Sequence, residues 1–181
     1  MKALLMPFKI FLFLSVTLLF QSCLETEVPI TTDGEPVPKK FLGVWYDAED
    51  YASSPAFKKK YIVTQGEDNA VFINKFSIDS ENKWEGESYK GHFSKVNNVL
   101  FLNLQKLEKT EEDGEESGGK YNLYRITFDD GVARLDAITD DVTETFESSE
   151  ELYDYIAKNM NYSFFYEKEE SVSIVRSEDA E

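Results

Sequence analysis

The chain has 181 residues, with 19 Lys and Arg against 35 Asp and Glu, a formal net charge of −16 and a pI near 4.5. That balance excludes recruitment by charge to nucleic acid phosphates or anionic headgroups, and a single cysteine excludes an internal disulfide. Aromatic residues make up 14% of the chain, which excludes an acidic disordered polypeptide and implies a packed fold.

The first 22 residues read as an export signal. Lys2 and Lys9 form a short basic start, and Ile10 to Phe20 is an uncharged, mostly apolar run of eleven residues. A spanning helix needs about 20 apolar residues, so this run has the length of a signal-peptide core instead, and Ser22 supplies the small residue a peptidase requires. Phe20-Gln21-Ser22-Cys23 resembles the lipobox of bacterial lipoproteins, with Phe20 where Leu is usual and Gln21 atypical. The resemblance implies cleavage between Ser22 and Cys23, diacylglycerol on the Cys23 sulfur and a third acyl chain, such as palmitate, on the freed amine. Two or more chains make a stable anchor, whereas one binds marginally. Leu24 is not the Asp that retains such lipoproteins at the inner membrane, so the resemblance implies the outer membrane, with the leaflet open.

Cleavage leaves 159 residues, enough for one domain, and removes two of the 19 basic residues, so the mature side chains carry a formal −18. Leu24 to Lys40, with Pro29, Gly34, Pro36 and Pro38, reads as an extended, flexible tether behind the lipidated cysteine. The domain runs over 41–176, and 177–181 is a polar tail.

Within that domain short strand patterns follow one another: Phe41 to Asp47, Lys60 to Gln65, Ala70 to Asp79, Lys83 to Tyr89, His92 to Val96, Val99 to Gln105, Lys120 to Phe128 and Val132 to Thr139. Leu100, Leu102 and Leu104 share one face, as do Tyr124, Ile126 and Phe128, and Ala133, Leu135 and Ala137, the period of two of a half-buried antiparallel sheet. Asn97-Asn98 and Asp130-Gly131 suit two-residue hairpin turns, which need positive φ. A meander of about eight strands leaves two raw edges unless it closes, so the pattern predicts a mainly β, small antiparallel barrel. Glu111 to Gly119 is a charged, Gly-rich loop without the ligand order of a calcium loop. Ser148 to Asn159 is the one helix, with Ser148 and Glu151 as a capping box and Leu152, Tyr155, Ile156 and Asn159-Met160 on one face. Tyr162 to Lys168 and Val172 to Arg176 read as closing strands.

Catalytic chemistry is sparse. His92 is the only histidine, no G-x-S-x-G turn or phosphate-cradling Gly-rich loop occurs, and lipidation consumes the only thiol. No metal or cofactor is implied and no catalytic residue is assigned; the expectation is a non-enzymatic protein.

Gly43-Val44-Trp45 places a G-x-W in the first strand, which resembles the calycin superfamily of lipocalins and lipocalin-like barrels. That resemblance implies a barrel whose Trp45 packs across the closed end beneath an Arg, with Arg125, Arg134 and Arg176 as equal candidates. The family's second motif, around Thr-Asp-Tyr, has no counterpart. Small barrels hold single apolar ligands, so the expected function is a lipid-anchored envelope protein binding a small apolar ligand. Phe72, Phe76, Trp84, Tyr121, Leu123 and Tyr124 are candidates to line the site or fill the core. The charge supports two alternatives: capture of a cationic protein, as an inhibitor or receptor does, or a subunit role in an envelope complex.

Overall fold

In a computed structural model, residues 23–53, 58–79, 81–109 and 116–176 are described. The expected signal peptide at 1–22 and the polar tail at 177–181 lie outside these residues, as do residues 111–115 of the acidic loop.

Nine strands form one antiparallel sheet: β1 (Glu25–Thr26), β2 (Gly43–Asp47), β3 (Lys59–Gln65), β4 (Val71–Ile78), β5 (Trp84–Val96), β6 (Val99–Lys109), β7 (Glu116–Asp129), β8 (Val132–Ile138) and β9 (Tyr166–Arg176). β2 to β9 pair in sequence order and β9 returns to β2, which closes an eight-stranded barrel. Closure joins the two end strands of the meander, and β1 pairs with β7 at Asn122 and Tyr121, outside the ring. Short helix α1 (Ala48–Ser53) follows β2, and α2 (Ser149–Asn159) lies between β8 and β9.

The eight strands are not the eight read from the sequence. Trp84 to Tyr89 and His92 to Val96 belong to a single strand, β5, and the two closing segments are joined in β9 from Tyr166 onward, with Ser163–Phe165 a 3-10 turn before it. The break expected near Gly91 is instead a close approach. A Cβ at Gly91 would lie 1.9 Å from the Asn103 carbonyl oxygen of β6, so glycine keeps the two strands in register there. The predicted hairpin turns are present, with φ of 46° and 69° at Asn97 and Asn98 and 36° and 79° at Asp130 and Gly131.

Two cores share the barrel wall. The interior core contains Trp45, Val71, Ile73, Phe93, Leu102 and Ile126 among others. One end is plugged by a 3-10 turn, Lys39–Phe41: the Phe41 ring meets Phe93 and Phe128 edge-on, at 5.5 and 5.8 Å between centroids. The Trp45 indole donates to the Phe41 carbonyl at 2.8 Å, which satisfies the buried N–H. Of the three candidate arginines, Arg176 is the one opposite Trp45 in register, with its guanidinium beside Gly43. Gly43 has φ +120°, a conformation closed to side-chain-bearing residues, and this bend turns the chain from the plug into β2.

The outer core lies between the wall and α2. Ser148 accepts from the Glu151 amide at 3.3 Å, and the Glu151 carboxylate accepts from the Glu147 amide at 3.0 Å, so the box closes one residue earlier than the standard pattern. Leu152 and Ile156 are fully buried against Val96, Phe101 and Leu123. Burial of such a side chain contributes about 1.5–3 kcal/mol.

The segment expected as a flexible tether is a packed strap. Leu24, Ile30 and Val37 are buried, Glu35 bridges to Phe93, and the Ile30 amide donates to Asn103 Oδ1 at 2.8 Å. The prolines and glycine that suggested a linker give an extended chain that packs Leu24 and Ile30 into the outer core and Val37 into the interior one. Polar satisfaction fixes it: Asn103 Nδ2 donates to Ser94 Oγ at 2.9 Å and to the His92 carbonyl at 3.1 Å, and Ser94 Oγ is 2.7 Å from Thr31 Oγ1.

Candidate functional site

The barrel interior is not filled. A cavity of about 250 Å³ lies above the plug, with Phe41, Val63, Ile73, Leu104 and Leu135 in its lower wall and Tyr61, Tyr89, Tyr124, Lys75 and Glu170 toward the other end. That end carries the exposed Glu170 and the half-buried Lys75, so the cavity opens away from Trp45.

Each wall residue is placed by strand parity. Val71, Ile73 and Lys75 point inward on β4, as do Leu102 and Leu104 on β6 and Tyr124, Ile126 and Phe128 on β7. The rim is held by Glu87, which accepts from Lys75 at 2.8 Å, from Tyr89 Oη at 3.2 Å and from Lys106. The Lys106 and Lys75 hydrogen bonds hold its carboxyl at about 2, well below the usual carboxylate range. Burial, with the Asp47 and Asp50 charges, pushes the Tyr61 hydroxyl up to about 12. Burial also raises Tyr124 and Tyr89, the latter aided by Glu87. Three neutral phenols and a lysine therefore ring the upper cavity, able to hydrogen-bond the polar end of a bound molecule whose apolar part lies below.

Cys23 stands at this rim. It bridges to Thr139, and the Leu24 amide donates to the Ile138 carbonyl at 2.9 Å. Burial and the Glu170 charge push its thiol up to about 11, against the opposing hydrogen bond with Tyr124. Tyr124 and Glu170 thus line both the cavity and the neighbouring depression that contains Cys23.

Of the candidate lining residues, Tyr124 alone reaches the cavity. Trp45 is buried beneath it in the plugged end. Phe72 and Phe76 alternate with Ile73 and Lys75 and so face outward, Phe72 near Lys90 and Phe76 against Gly86. Trp84 is exposed at the start of β5, while Tyr121 and Leu123 belong to the outer core. Aromatic bulk had marked these residues, but bulk does not fix a face; parity does. Tyr61 and Tyr89 were missed, and a signal was available. The Asn97-Asn98 turn pairs Phe93 with Leu102, and counting by twos from Phe93 through Gly91 reaches Tyr89 on the inward face.

Two polar groups off the cavity have structural partners. His92 Nε2 is 2.7 Å from the Thr31 carbonyl oxygen and holds the strap. Buried Asp136 accepts from Arg125 Nη2 at 2.6 Å and Arg134 Nε at 2.5 Å on the outer wall, with the Arg125 guanidinium 3.9 Å over the Tyr166 ring. Among the described residues no three His, Cys, Asp or Glu side chains converge as a metal site. In comparisons with known proteins, no family model, no curated protein and no solved structure matches the chain.

Proposed function

We propose that the protein is a non-enzymatic, lipid-anchored cell-envelope binding protein that takes one small apolar ligand into a lipocalin-like barrel. The observation that carries this reading is the open cavity of about 250 Å³ with an apolar floor and a phenolic rim. At about 30 Å³ per molecule it exceeds a few waters, and an apolar cavity of about 150 Å³ already binds benzene. It lies just under the ~300–1,000 Å³ of ordinary ligand pockets, which restricts the ligand to a ring or short chain. The polar end of that ligand would lie among Tyr61, Tyr89, Tyr124 and Lys75. Anchoring is assigned to Cys23 after cleavage behind Ser22, and the outer membrane is the proposed location.

The test is binding of N-phenyl-1-naphthylamine to the purified full-length product, read by the rise in probe fluorescence and by displacement with short-chain alcohols and fatty acids. Leu135→Trp fills the cavity from its wall, and overpacking of this kind costs about 1–3 kcal/mol, which is checked by thermal melting. A folded Leu135→Trp protein that no longer binds the probe is the expected result. Undiminished binding by the filled variant would place the site elsewhere and overturn the reading.

A further inference from the structure

Among the described residues, the large hydrophobic side chains left exposed are Tyr51 at 41%, Trp84 at 54%, Tyr162 at 51% and Phe164 at 72%. All are aromatic, and their positions are sorted. Tyr51 is in α1, directly after β2; Trp84 begins β5 after the β4–β5 turn; Tyr162 and Phe164 stack 5.2 Å apart in the link from α2 to β9. These connections belong to the open end of the barrel. The connections at the plugged end, Lys39–Phe41, the β3–β4 turn, Asn97-Asn98 and Asp130-Gly131, contribute none of them.

Cys23 is at the same end. Its bridge partner Thr139 donates its amide to the Phe165 carbonyl at 3.1 Å, which sets the cysteine next to the Tyr162–Phe164 link. The strap that follows has no slack, because Leu24 is buried and Glu25 and Thr26 are paired to β7. Twenty-two residues precede Cys23, including the uncharged run Ile10 to Phe20. A membrane attachment made through that cysteine, or through the apolar run before it, therefore leaves the domain at the rim of the cavity.

We infer that the open end is a membrane-docking face, seated on a zwitterionic bilayer with Tyr51, Trp84, Tyr162 and Phe164 in the headgroup layer around the cavity mouth. Amphipathic aromatic rings concentrate at that level of a membrane. An anionic surface would repel the cleaved chain, with its formal charge of −18, so the occupant is a zwitterionic one. The inference takes its orientation from the anchoring at Cys23 proposed above, and it deepens that reading. The mouth faces the leaflet, so the ligand would be a small amphiphile that passes between bilayer and barrel without crossing bulk water.

The two tryptophans make the test direct, since Trp84 is at the rim and Trp45 is buried at the plugged end. The full-length product is reconstituted into phosphatidylcholine vesicles brominated near the headgroup, and mass spectrometry reports whether Cys23 is acylated. The expected result is loss of the Trp84 share of the emission in the wild-type protein and no quenching in Trp84→Phe. Glu67→Trp in the Trp84→Phe background places a reporter in the exposed β3–β4 turn and should also stay unquenched. Acylated, vesicle-bound protein with an unquenched Trp84 overturns the docking face and leaves the anchor standing. Quenching of the Glu67→Trp reporter as strong as that of Trp84 overturns the orientation. Quenched Trp84 on a protein whose Cys23 carries no lipid supports the face and refutes the anchor.

Discussion

Asn103→Ala tests whether the segment after Cys23 is part of the fold. The Asn103 side chain is fully buried and makes three hydrogen bonds: it accepts from the Ile30 amide at 2.8 Å and donates to Ser94 Oγ and the His92 carbonyl. Alanine leaves the Ile30 N–H without a partner in a site where Ile30 is 1% exposed. An orphaned buried donor costs about 1–3 kcal/mol, and each of the other bonds about 0.5–1.5 kcal/mol net. Ser94 keeps its contact with Thr31 Oγ1, which reduces that part of the loss. The expected destabilisation is roughly 2–4 kcal/mol, the equivalent of about 5–15 °C in Tm for a domain of this size. Urea unfolding gives the global figure, and hydrogen exchange at Ile30 gives the local one. The Ile30 amide should lose protection by more than the global change, because the strap can detach while the ring stays closed. A midpoint within experimental error of the wild type, with Ile30 exchange unaltered, would refute the strap as a stabilising element.

Gly91→Ala should be among the most damaging substitutions, above about 3 kcal/mol by urea unfolding, because its Cβ would lie 1.9 Å from the Asn103 oxygen. Gly86→Ala is its control, since there the nearest atom is Phe76 Cδ1 at 3.5 Å, ordinary contact, and a change beyond about 1 kcal/mol would contradict the steric argument. Asp136→Ala removes the buried carboxylate and leaves Arg125 and Arg134, 31% and 57% exposed, to water, so the same assay should show only the lost charge-assisted hydrogen bonds, about 1.5–3 kcal/mol. Arg134→Ala, with a side chain 57% exposed, should cost under about 1 kcal/mol; equal losses would show that both arginines are needed. Glu87 has its folded pKa depressed to about 2, so its contribution is present above its unfolded value, ~4.3, and is lost as pH falls toward 2. Glu87→Gln should flatten the stability profile in that window by less than about 1 kcal/mol, since the carboxylate is partly exposed, and an unchanged profile would remove the rim ion pairs from the account.

Local rules carried far in this chain. Period-two alternation and positive-φ turn residues act over a few residues each, so Leu102 and Leu104, Tyr124 to Phe128, Asn97-Asn98 and Asp130-Gly131 were legible without tertiary information. The capping Ser148 and the face of Leu152 and Ile156 were legible for the same reason. The barrel followed from the cost of open edges. Its count of about eight strands followed as well, but not their division along the chain, because Gly91 has the same appearance in a turn as at a close approach between strands.

The cavity was not legible, and the reason is geometric. Whether an aromatic residue lines a barrel or coats it depends on parity carried around the whole ring, and one misplaced strand break reverses it. Phe72 and Phe76 therefore exchanged places with Tyr61 and Tyr89 as candidates. The strap was hidden for a related reason: Leu24, Ile30 and Val37 are spaced too irregularly for any single period, and what buries Leu24 and Ile30 is the outer core of the wall and α2, while Val37 is buried in the interior core, both made from far along the chain. The sequence by itself determined the β class, the turns, the helix and the acidic surface, since each is set by neighbours along the chain. Only the tertiary structure decided that the interior is open, that Tyr124 joins the cavity to Cys23, and that the exposed aromatics gather at that same end. Those are relations between residues a hundred positions apart, and closure of the ring is what brings them together.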